Sequence, residues 1–191
     1  MITQVTPPAA DVLTLSEAKK HLRVDAIDDD ALILAEIRGA TGWAEEYLGR
    51  QLVTATWRLT LEGWPAGSEI LLPRPPAISV ISVVYEKADG TQGTMATGDY
   101  FLDAAAEPGR LILADGASWP GSTLRRAAAV AVTYQAGYGD PDAVPAPIKL
   151  GLKTLIGSLY ENRESEVVGT ITARLGHSLE YLLYPYRIWS F

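Results

Sequence analysis

The hydrophobic period changes twice along this chain, and that limits the folds open to it. From Thr14 to about Leu52, apolar residues recur every three or four positions; from about Val53 to Tyr134 they alternate; after Val144 the helical spacing returns. Helix and strand patterns do not interchange, because each aims its apolar face differently. The order predicts an α+β chain: a helical domain built from both ends of the sequence, with an antiparallel β-sandwich or barrel-like subdomain inserted in it. The expected parts are 1–52 (N-terminal helical), 53–135 (β insertion), 136–183 (C-terminal helical) and 184–191 (an aromatic tail). A chain of 191 residues, 48% hydrophobic and 20% charged, can bury a sizeable core without cross-links.

The helix signals are local. Thr14-Leu15-Ser16-Glu17 has the form of a capping box and opens a short helix through His21 or Leu22. In the next helix Ile33, Ile37, Ala40, Ala44 and Tyr47 form one apolar stripe, Leu48 extends it, and Gly49 is placed to stop it. Gly39 and Gly42 each cost this helix up to about 1 kcal/mol relative to Ala. They are candidates for a close approach by another helix, from this chain or from a neighbouring subunit. Near the other end, Pro147 opens a helix whose expected inner stripe is Ile148, Leu152, Leu155 and Leu159, widened by Ile156 and Tyr160. A short helix is expected near His177 to Leu183.

Between the helical parts, Trp57, Leu59 and Leu61 alternate with Thr56, Arg58 and Thr60. A β-branched run from Ile78 to Tyr85 leads to a turn at Asp89-Gly90. Tyr100–Asp103, Arg110–Leu113 and Ala129–Tyr134 complete a set of about six short strands.

Candidates for chemistry are few. Asp25, Asp28, Asp29 and Asp30 crowd ahead of the second helix, but counting a calcium loop from Asp25 puts Ile27 at position three and Asp30 where glycine belongs. The reading that fits is a helix start, with Asp28 as the N-cap and Asp29 and Asp30 in the first turn. His21 and His177 have no second imidazole in a metal-binding pattern, and no nucleophile elbow or phosphate-binding glycine loop is present. With no cysteine, thiolate chemistry and disulfides are excluded. No catalytic, cofactor or metal residue is expected. Trp57, Trp64 and Trp119 suit a sandwich core; the alternative is a β module that stacks a carbohydrate on them. The last eight residues hold Tyr184, Tyr186, Ile188, Trp189 and Phe191. Termini normally fray unless tied down, so this tail either packs on its own domain or docks onto a partner.

A net charge of −7, with 16 Lys and Arg, argues against a phosphate-gripping face. The first residues lack a signal peptide's basic and apolar regions, and no apolar run approaches the roughly 20 residues of a membrane span. No membrane partner and a cytoplasmic site of synthesis are therefore expected.

LRVD (Leu22 to Asp25), DDDALI (Asp28 to Ile33), WAEEYLGRQL (Trp43 to Leu52), AGYGD (Ala136 to Asp140), VPAPIK and YENRE occur here in one order and spacing. In that arrangement the chain resembles the tailed-phage head–tail connector (adaptor) family, in the longer branch with a β insertion found in prophages and gene transfer agents. The resemblance implies a non-enzymatic part of the particle neck, assembled in the bacterial cytoplasm. Copies would form a ring, typically of twelve, beneath the portal protein. The ring extends the channel through which DNA passes without sequence-specific binding, and it seats a tail-proximal stopper or tail protein. No cofactor is implied. The family's habit of engaging the portal through its C-terminus points to Tyr184, Tyr186, Ile188, Trp189 and Phe191, while Arg163, Glu164, Gly39 and Gly42 become candidates for contact between subunits.

Overall fold

The computed structural model of the protein describes residues 1–162 and 179–189. Arg163, Glu164, His177 and Phe191 lie outside the described residues. The fold is mixed α+β and divides into two compact units: Met1–Ala9 with Thr54–Tyr138, and Ala10–Val53 with the described residues from Gly139 onward.

The first unit is a two-sheet sandwich. Its strands are β1 (Ile2–Thr6), β2 (Ala55–Leu61), β3 (Glu69–Leu72), β4 (Ala77–Glu86), β5 (Gln92–Thr94), β6 (Tyr100–Asp103), β7 (Gly109–Leu113) and β8 (Val130–Ala136). One sheet has the order β1-β2-β8-β4-β5 and the other β3-β7-β6, antiparallel throughout. The central strand β8 alternates strictly, burying Val130, Val132, Tyr134 and Ala136. Leu59, Val83, Val132 and Tyr134 from the larger sheet meet Ile70, Leu72, Tyr100 and Leu111 from the smaller one in a single core. Tyr134, fully buried, donates its hydroxyl proton to the Pro73 carbonyl at 2.6 Å. Burial pushes its phenol well above the ordinary range, so it stays a donor. Gly109 is required where the sheets close: a Cβ there would lie 2.5 Å from that of Ala77. β4 carries two register shifts, after Ala77 and after Val80, and the extra residues Ile78 and Ile81 turn to solvent.

Two strands lie beyond those the alternation predicts. β1 comes from the segment expected to be helical and pairs with β2 as an uncharged edge strand, and β3 is a four-residue strand after a Gly-Ser turn. Neither is long enough to show a period.

The second unit contains α1 (Leu15–Leu22), α2 (Asp30–Leu48) and α3 (Ala146–Glu161), with further helical residues at 179–183. Thr14 and Glu17 close a reciprocal capping box on α1: the Glu17 N–H donates to Thr14 Oγ1 at 3.2 Å and the Thr14 N–H to Glu17 Oε2 at 2.9 Å. α2 buries Ile33, Ile37, Ala40, Ala44 and, as expected, Leu48, whereas Tyr47 is only half-buried. α3 buries Ile148, Gly151, Leu152 and Ile156; Leu159 is exposed, because the buried line keeps to four-residue steps and ends before it.

The N-cap assignment is corrected by one residue. α2 starts at Asp30 and its cap position is Asp29, without a side-chain capping bond, while Asp28 is exposed in the preceding turn. The aspartates tie helices together instead. Asp29 Oδ2 accepts from the Tyr160 hydroxyl at 2.6 Å, and Asp30 pairs with Lys19 at 2.5 Å.

The Thr14 N–H, first among several causes, holds the Glu17 carboxyl below its usual range. A carboxyl lowered in the folded state adds stability above its unfolded pKa and loses it as pH falls through the folded value. Glu17→Ala is expected to cost about 0.3–1.5 kcal/mol at pH 7. In urea unfolding, the gap from the parent should narrow as the pH drops below about 4.

Candidate functional site

α2 ends in WAEEYLGRQL, and the end of a helix leaves carbonyls without donors. Gly49, at φ 65°, takes the left-handed cap and donates its N–H to the Glu45 and Glu46 carbonyls. The chain then turns inward: Arg50 and Gln51 are 5% and 0% exposed. Buried polar groups need partners, and both have them. The Gln51 amide donates to Glu45 Oε1 at 2.6 Å, and the same oxygen accepts the Leu52 N–H at 3.0 Å. Arg50 Nε donates to the backbone carbonyl of Tyr186, far along the sequence.

That bond brings the aromatic tail to the end of α2. The Ile188 N–H donates to the Leu48 carbonyl at 2.8 Å, satisfying one of the helix's orphan acceptors, and the Ile188 side chain lies over Gly49. Upstream, Leu179 and Leu183 are buried, with Leu183 against Gly151 of α3. The tail is thus tied down at both ends of its 184–186 turn.

Tying down the backbone leaves the aromatic rings at the surface. Trp43 and Tyr47, one turn apart on α2, stack at 5.2 Å with 12° between planes. The Arg187 guanidinium sits 4.7 Å from the Tyr47 ring and 4.5 Å from the Trp189 ring. Trp189 meets Tyr184 edge-on at 5.4 Å. The result is a continuous run, Trp43–Tyr47–Arg187–Trp189–Tyr184. Trp43, Tyr184 and Trp189 are 45%, 57% and 48% exposed, and Tyr181 beside them is 82% exposed. A shallow groove of about 380 Å³ lies between Tyr181, Tyr184 and Pro185. Aromatic residues and Arg are the types enriched at the cores of protein interfaces.

The expected residues divide accordingly. Tyr184, Tyr186, Ile188 and Trp189 come together on α2: Ile188 and the Tyr186 backbone act as anchors, and Tyr184 and Trp189 are presented outward. Trp43, Tyr47, Arg50 and Arg187 belong to the same site; the i, i+4 aromatic pair in WAEEY was the one sequence signal for them. Gly39 and Gly42 lie on the exposed face of α2, where an added Cβ would meet nothing within 4 Å. No helix of this chain covers them among the described residues. Trp57, Trp64 and Trp119 pack against the sandwich core: Trp64 stacks on Trp119 at 5.0 Å, and Trp119 Nε1 donates to the Gly67 carbonyl. They are not free platforms for a sugar. Among the described residues no group of three or more His, Asp or Glu is placed to hold a metal ion, and no helix is long and apolar enough to cross a membrane.

Residues 12–96, which include α2 and the Trp43–Leu52 segment, match the family model described as phage gp6-like head–tail connector protein. No curated protein matches the sequence significantly. Among solved structures, a chain from the neck of an empty gene transfer agent (GTA) particle, computed with C6 symmetry, is similar at 25% identity and TM-score 0.81. The alignment covers 100% of this chain and 97% of that one. A chain of the native GTA virion (24% identity, TM-score 0.81) and one of the native GTA neck computed with C12 symmetry (24%, TM-score 0.79) share the fold over the same extents.

Arg50→Met should free the tail. Loss of a hydrogen bond from a charged group, about 1.5–3 kcal/mol, is expected to speed tryptic cleavage after Arg187 about tenfold or more. Mass spectrometry of a digestion time course measures it.

Proposed function

We infer, from the match of residues 12–96 to the phage gp6-like head–tail connector model and the fold shared with a GTA neck chain, that this chain is a structural connector in the neck of a phage-like particle. The family's role is structural. The observation that carries the finer reading is the anchored aromatic run: a tail whose backbone is fixed to α2 while Trp43, Tyr184 and Trp189 stand outward.

In this reading the helical unit is the connector domain and the β unit its insertion. The aromatic run, with Tyr184, Tyr186, Ile188, Trp189 and Phe191 in the tail, is the face that docks onto the portal protein. Neighbouring copies form a ring, of twelve by analogy with the C12 symmetry of a similar neck. The open face of α2 at Gly39 and Gly42, with Arg163 and Glu164, contributes contacts between copies. The far side of the ring seats the stopper or another tail-proximal protein. A net charge of −7 suits a channel wall that DNA passes without adhering. Docking by rigid aromatics loses little side-chain entropy, which favours a preformed face over a floppy tail.

Co-sedimentation with the portal protein of the same particle tests this. The full chain should pellet in a fixed multiple of the portal. A chain ending at Leu183, and a Tyr184→Ala/Trp189→Ala double variant, should each lose at least about tenfold in affinity, as hot-spot aromatics do. Undiminished binding by the truncated chain, with its circular dichroism unchanged, would refute the docking role.

A further inference from the structure

The two outer faces of the β sandwich differ from each other in a complementary way. On the three-stranded sheet, cross-strand neighbours place Leu71, Phe101 and Ile112 on the outside with Arg110. Leu71 and Phe101 are 52% and 51% exposed, an apolar knob on an otherwise ordinary surface. Arg110 is held between Asp103 at 2.7 Å and Glu69 at 3.4 Å, so this face carries one more carboxylate than cation. The Arg110 guanidinium also keeps the Asp103 carboxyl below its ordinary range.

The five-stranded sheet has the opposite character. Leu59, Val132 and Val83 point to the core, so their neighbours Thr60, Ala131 and Val84 line the outside. There an open groove of about 440 Å³ runs across the strands, between Arg58 and Thr60 on one side and Arg125 on the other, floored by Val84 and Ala131. Arg125 pairs with Glu86 at 2.7 Å, whereas Arg58 is exposed and forms no ion pair among the described residues. One face is thus an apolar knob with surplus negative charge, and the other an apolar-floored groove with an unpaired cation.

We propose that the sandwiches stack back to front between copies of this chain, the Leu71–Phe101–Ile112 knob of one copy seated in the Arg58–Arg125 groove of the next. The occupant is a second copy because knob and groove match in polarity and charge within one sequence. They also lie on opposite sides of one sandwich. Two copies therefore cannot satisfy both faces by pairing mutually; the contact is head-to-tail and repeats from copy to copy, as the contacts of a ring do when the rotation closes. The proposal rests on the connector reading above and adds to it a contact through the β unit, separate from the α2 face at Gly39 and Gly42.

The test uses the absence of native cysteine. Thr3→Cys, beside Arg58 at the groove, and Glu69→Cys, at the rim of the knob, are introduced together and singly. Each variant is assembled on the portal protein and treated with a short bis-maleimide. The doubly substituted chain should give a ladder of covalent multimers, and either single variant none. Arg58→Glu and Phe101→Asp, both at exposed positions, should leave the melting curve unchanged and lower ring yield in electron micrographs at least about tenfold. Rings that form normally without a ladder, or despite both charge substitutions, would overturn the stacking and leave the connector reading standing. Failure of the unmodified chain to form rings or to bind portal would remove the connector reading, and the stacking with it.

Discussion

The C-terminal end of α2 is where the seat of the tail is decided. A helix that stops leaves backbone carbonyls seeking donors, and here those donors are drawn from two places. Gly49 folds back locally in a left-handed cap, and Ile188 supplies an N–H from the other end of the sequence. Arg50, buried and bonded to the Tyr186 carbonyl, fixes the register between them. Both bonds use the tail's backbone, so the tail's position does not depend on burying its rings. That is why Tyr184 and Trp189 can be ordered and exposed together, a combination that costs conformational entropy with little apolar burial in return. α2 has no basic residue in its last turn, and Arg187 brings a cation beside it, which favours the negative end of the helix dipole.

The units solve different problems. The sandwich secures itself by conventional means: a strictly alternating central strand, a two-sheet core and a buried tyrosine with a carbonyl partner. The helical unit buries its own apolar stripes, among them Ile33, Ile37, Leu48, Ile148, Leu152 and Ile156, and adds polar ties between elements. Tyr160 to Asp29, Lys19 to Asp30 and Thr14 with Glu17 each join or cap helices at the partly wetted ends, where exposed pairs are individually weak.

Features with local causes were legible in the sequence. The capping box at Thr14, the stop at Gly49, the α2 stripe through Ala44 and the main strands all follow from contacts within a few residues or from a period long enough to count. The misses have non-local causes. β1 is a strand because β2 offers it an edge more than fifty residues away, and nothing in ITQVT announces that. Asp28 was a reasonable cap by residue type, yet the turn before α2 runs one residue further, and Tyr160 binds Asp29. The aromatic tail was visible as a cluster, but its seat was not, since Arg50 and Tyr186 meet across 136 positions of sequence. The resemblance to head–tail connectors rests on the order of several weak motifs, and residues 12–96 match that family's model.

In the reading proposed above, the Trp43–Tyr47–Arg187–Trp189–Tyr184 run is a preformed docking face. Hydrogen–deuterium exchange of the free chain and of its portal complex addresses it most directly, because the Ile188 amide reports the anchor and its neighbours report the face. The account predicts an Ile188 amide already slow to exchange in the free chain. It also predicts added protection over 43–47 and 184–189 when the portal is bound. A complex that leaves those segments exchanging as in the free chain, with protection gained elsewhere, would contradict it.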